Sequence, residues 1–143
     1  MKIAILIVVL VIGMTGMIFI CRGRATDPVV DLGEKGLTLV IYSGGRPSKS
    51  LSVPPDCPLL AKMNSLLIEK RGKWKISFVS FAPIILLRGE KFSINCQRNR
   101  LIVNFENQPG QTLRLQVVTD LTPEEFSLIQ TAAEEVSSGT IGK

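Results

Sequence analysis

The chain has 143 residues, enough for one domain and too few for two comfortable ones. It carries 17 Lys and Arg against 12 Asp and Glu and has no histidine, which excludes hydrolases built on a histidine base, zinc sites of the usual Cys/His kind and histidine pH switches. Hydrophobic residues make up 45% of the chain, but much of the excess lies in the first twenty positions, and the rest is ordinary globular sequence without repeats.

From Ile3 to Ile20 the chain runs eighteen positions without a charge, with Thr15 the only polar side chain. As a helix this run spans about 27 Å, close to a hydrocarbon core of roughly 30 Å. It is apolar on every face, so it reads as a single transmembrane anchor (residues 1–21) rather than an amphipathic surface helix. A cleavable signal is the competing reading. Its apolar region usually runs about 7–15 residues, and here Gly23-Arg24-Ala25 makes a poor cleavage sequence. Lys2 and the α-amino group balance Arg22 and Arg24, so the flanking charges leave orientation open.

Residues 22–36, with Gly23, Pro28, Gly33 and Gly36, read as an irregular tether. Leu37 to Tyr42 is the first strand, Ser43-Gly44-Gly45-Arg46 a hairpin turn, and Lys49 to Val53 the returning strand. Pro54-Pro55 ends the pair. Asp56-Cys57-Pro58 then opens a helix over 58–70, with Leu59, Met63, Leu66 and Leu67 on one face and Lys70-Arg71-Gly72 as its end.

A β-rich stretch follows. Trp74 to Phe81 alternates, which places Trp74, Ile76, Phe78 and Ser80 on one side of a strand. Ile84 to Leu87, Lys91 to Cys96, Arg100 to Glu106 and Thr112 to Val118 are further strands separated by turn residues, 107–110 among them. Thr122-Pro123-Glu124-Glu125 is a capping box with proline at the first helical position, and Leu121 and Phe126 are placed as a hydrophobic staple. Phe126, Ile129, Ala133 and Val136 form the buried stripe, Gly139 ends the helix, and 140–143 form a frayed tail. The predicted fold is α+β: a mainly antiparallel sheet of six to seven strands with two helices, over residues 37–139. A curled sheet or small barrel closed by the last helix, in the manner of pleckstrin-homology-like domains, has a similar late order, but the helix at 58–70 departs from it.

Candidate chemistry is sparse. Cys57 and Cys96, one at a helix start and one at a strand end, could form a disulfide in an oxidising compartment. Between Lys70 and Arg100 lie eight cations and one acid, Glu90; from Leu101 onward two cations face six acids. The basic stretch is the candidate surface for an anionic partner, with Arg71, Lys73, Lys75, Arg98 and Arg100 as its test positions. Against that stands a plainer reading: Lys73 and Lys75 alternate with Trp74 and Ile76, as on the wet face of a half-buried strand. Ser43-Gly44-Gly45-Arg46 lacks the Lys-Ser/Thr of a phosphate loop, and no spacing marks a cofactor, a metal or a catalytic carboxylate pair. The expected protein is a single-pass, membrane-anchored, non-catalytic interaction or accessory domain. Its partners would be the bilayer through its N-terminal helix and a protein or anionic headgroups through its basic surface, with nucleic acid disfavoured. The alternative is a secreted or periplasmic binding protein, released by cleavage near Ala25 and stapled by Cys57–Cys96.

Overall fold

The computed structural model describes residues 25–106 and 114–139. The expected anchor Ile3–Ile20, residues 22–24 of the tether, the turn at 107–110 and the tail 140–143 lie outside the described residues. Among the described residues no helix is long and apolar enough to cross a membrane.

The elements, in chain order, are β1 (Thr38–Ser43), β2 (Arg46–Ser52), α1 (Pro58–Glu69), β3 (Lys75–Ile76), β4 (Ile85–Arg88), β5 (Phe92–Gln97), β6 (Arg100–Glu106), β7 (Arg114–Asp120) and α2 (Pro123–Ser138). This is the expected α+β class: one seven-stranded antiparallel sheet and two helices. Gly44 and Gly45 both take positive φ (57° and 76°), the conformation a tight two-residue hairpin turn requires, and they set Ser43 opposite Arg46.

The strand order is β2-β1-β4-β5-β6-β7-β3. β2 and β3 are edges of an open sheet among the described residues, so the closed-barrel alternative does not hold. Leu39, Leu87, Ile94, Val103 and Val117 oppose one another across five strands and form a continuous apolar row on one face. Leu59, Leu60, Met63 and Leu66 of α1 and Phe126, Ile129, Ala132 and Ala133 of α2 cover that face.

The helix ends follow from local chemistry. The Thr122 side chain accepts from the Glu125 N–H (3.2 Å), and the Glu125 carboxylate accepts from the Thr122 N–H (2.7 Å). Leu121 and Phe126, the expected staple, are both buried. The Lys70 ammonium at the end of α1 reaches the same Glu125 carboxylate at 2.7 Å, which ties the two helices together.

Two expectations need correction. The strand predicted over Trp74–Phe81 is only two residues long, and Phe78, expected on its buried side, is 94% exposed. The stretch 25–36 is irregular, as predicted, but it is packed on the domain rather than hanging free. Ala25 is buried, Val30 and Leu32 pack against the core, Asp27 Oδ1 accepts from the Gly72 N–H (2.7 Å), and Glu34 Oε1 accepts from the Glu90 N–H (2.8 Å).

Candidate functional site

The strand order creates the site. β3 lies at one edge beside β7, whereas the next strand, β4, lies between β1 and β5. The chain joining them must therefore cross β7, β6 and β5 on one face of the sheet. The helices occupy one face; residues 77–84 cross the other as an extended strap.

Outward-pointing amides stitch the strap down. Gln116 on β7 donates from Nε2 to the carbonyls of Ser77 (3.3 Å) and Val79 (2.8 Å). Asn95 on β5 donates to the Phe81 carbonyl (3.2 Å), and Gln97, two residues on, donates to the Ala82 carbonyl (2.7 Å). The Ser77 N–H still reaches the Gln116 carbonyl, and at the far end the Ile84 N–H reaches that of Cys96. Thus the carbonyls of Ser77, Val79, Phe81 and Ala82 in an irregular segment all find side-chain donors, which is what a loop lying on a sheet needs. The strap also explains why Ile102 and Asn95 are buried although they point away from the helices.

Between the strap and the edge of the sheet lies a groove of about 290 Å³, lined among others by Lys73, Lys75, Val79, Phe81, Arg100 and Asp120. Lys75 opposes Val118 and Arg100 opposes Asp120 in the ladders, so both project to the strap side of the sheet. The Arg100 guanidinium stands 5.6 Å from the Phe81 ring centroid, a cation–π contact that fixes its position. Three cations therefore face one carboxylate. Of the five positions expected on an anionic-partner surface, Lys73, Lys75 and Arg100 come together here. Arg71 instead lines a small recess with Asp27, Pro28 and Ile68, and Arg98 stands exposed in the β5–β6 turn. Sequence reasoning missed Phe78 and the strap.

Cys57 and Cys96, the possible pair of the alternative reading, are both buried and carry free thiols in this structure. Burial pushes the Cys96 thiol up to about 12, which keeps it protonated and unreactive. Among the described residues no group of His, Cys, Asp or Glu side chains is arranged to hold a metal ion. A second groove, of about 270 Å³, lies between the helices and is lined by Ala61, Leu66, Leu128 and Ile129 with Glu69 and Glu125 at its side. A recess beside Glu34, Glu90 and Glu106 is acidic.

Comparison with family models, with characterised proteins and with solved structures returns no match for the chain.

Proposed function

We propose that the protein is a single-pass, membrane-anchored, non-catalytic interaction domain whose basic surface engages an anionic partner, protein or lipid headgroup, at the membrane surface. The observation that carries this reading is the convergence of Lys73, Lys75 and Arg100 on one groove beside an aromatic strap. The run Ile3–Ile20 supplies the anchor. A domain held at a surface needs only weak contacts, because anchoring raises the effective concentration of whatever it meets there. The lack of histidine and the raised Cys96 thiol support a binding rather than a catalytic role.

The test is charge reversal in the full chain, in its native membrane. Lys73→Glu, Lys75→Glu and Arg100→Glu together should reduce recovery of protein or anionic lipid crosslinked to the domain, and the wild-type interaction should weaken as salt rises. Adding Arg71→Glu and Arg98→Glu measures how far the surface extends beyond the groove. Recovery unchanged by the triple reversal removes the proposal.

A further inference from the structure

We infer that the strap is a bilayer-docking element: Phe78 and Val79 enter the boundary between headgroups and acyl chains, while Lys73, Lys75 and Arg100 lie against anionic headgroups. This rests on the anchored reading of Ile3–Ile20.

Among the described residues six large apolar side chains are exposed; Val29, Ile68 and Leu128 lie elsewhere, and Phe78 (94%) and Val79 (62%) stand next to each other on the strap, with Phe78 the barest of all. An aromatic so exposed does not serve the core, and the amide bonds beneath the strap hold it in that position. Those bonds carry a second consequence. The carbonyls of Ser77, Val79, Phe81 and Ala82 already have donors within the domain, so moving this backbone toward the acyl region strips less water from unpaired groups.

The groove under the strap, lined by Ser77 and Val79 on either side of Phe78 in the chain, carries three cations and a single acid, Asp120, which opposes Arg100. Each cation close to an anionic leaflet raises local binding roughly fivefold. The opposite, helical face carries Glu124, Glu134 and Glu135, all exposed, which favours turning the strap face and not the helices toward such a leaflet.

Only residues 21–24 separate Ile20 from Ala25, which is already buried in the domain. The five Cα steps from Ile20 to Ala25 span at most ~18 Å when extended. Asp27 is bonded to the Gly72 N–H, and five residues separate Gly72 from Phe78, six Cα steps that span at most ~22 Å when extended. Lys73 and Lys75 lie along that same path. A domain anchored this closely meets its own bilayer before it meets any soluble partner, and apolar tips beside cations suit that surface.

The experiment uses the full chain with Cys21→Ser and Phe78→Cys, labelled with bimane and reconstituted in vesicles of phosphatidylcholine with or without phosphatidylserine. Cys57 and Cys96 are buried and stay unlabelled. Ser127→Cys, exposed on α2 on the helical face, is the control. In chains whose domain faces outward, the label at 78 should shift to the blue, lose most of its iodide quenching, and be quenched by lipids bearing a shallow nitroxide. It should do so when phosphatidylserine is present, and the label at 127 should stay open to iodide. Reversing Lys73, Lys75 and Arg100 should restore iodide access at 78. Equal iodide access at 78 and 127 overturns the inference, and so does shielding that appears only when a second protein is added. Shielding that is the same without phosphatidylserine overturns the role given to the cations. Alkaline carbonate extraction separates the two readings. Loss of the chain from the vesicles refutes the anchor itself, whereas a retained chain with residue 78 in water refutes only the docking.

Discussion

Glu125→Gln separates two jobs that one carboxylate performs. The Glu125 side chain accepts the Thr122 N–H at 2.7 Å, closing the capping box of α2, and it pairs with the Lys70 ammonium at 2.7 Å, joining α2 to the end of α1. Glutamine keeps an acceptor for the first job and loses the charge for the second. The two side chains are only 10% and 22% exposed, so the pair lies between a surface bridge, worth about 0–1 kcal/mol, and a buried one, whose breakage costs about 3–5 kcal/mol. The expected loss is about 2 kcal/mol, much of it the cost of leaving Lys70 buried and unpaired. Adding Lys70→Met should recover most of it, since an apolar chain of similar volume carries no charge to desolvate. Partial burial would raise the Glu125 carboxyl, but the Lys70 hydrogen bond, the Thr122 N–H and the charges of Lys70 and Lys73 outweigh it and hold the group below its ordinary 4.5. A carboxylate depressed by folding stabilises fully above its ordinary value, and that contribution fades as pH falls through the lowered one. The wild type should therefore lose stability on acidification below 4.5, and Glu125→Gln should lose less over the same range. Urea unfolding of the detergent-solubilised full chain gives the measurement, because Trp74 is the single tryptophan and is buried in this domain. A Gln variant as stable as wild type at neutral pH, or one more acid-sensitive than wild type, refutes the reasoning.

Three further outcomes follow from the same structure. Thr122→Ala removes the side chain that accepts the Glu125 N–H and should cost about 1 kcal/mol in the same urea assay. Gln116→Ala removes the donor to Ser77 and Val79; hydrogen exchange should then speed up selectively over residues 77–82, with a global loss of only about 1 kcal/mol. The Cys96 thiol should react with aromatic disulfide reagents only at the rate at which the domain opens, so its labelling should follow urea unfolding rather than the alkaline titration of an exposed thiol.

Much of the fold was legible because its signals are local. Gly44-Gly45 between two alternating segments, and Thr122-Pro123-Glu124-Glu125 before an apolar stripe, each specify a conformation through neighbouring residues alone. The strap was not legible, for a physical reason. Alternation from Trp74 to Phe78 continues in the sequence, but β3 has a ladder partner on one side only and β4 lies across three strands, so the chain leaves the sheet after Ile76. Asn95, Gln97 and Gln116 read as the wet face of a meander; that they bind a crossing segment depends on strand order, which alternation does not encode. The basic run from Lys70 to Arg100 was visible, but its division was not. Lys75 opposite Val118 and Arg100 opposite Asp120 bring separate stretches of chain to one face, whereas Arg71 lies in a different recess and Arg98 stands in a turn. Glycine and proline marked residues 25–36 as irregular, and irregular chain can still pack, as Ala25, Val30 and Leu32 do.

The central claim is that this domain works at the bilayer on an uncleaved anchor. Intact-mass measurement of the chain recovered from carbonate-washed membranes tests it most directly. The account predicts a chain that retains Ile3–Ile20 and stays in the pellet. A chain beginning near Thr26 and recovered in the soluble fraction would contradict it, and would point instead to a released binding protein.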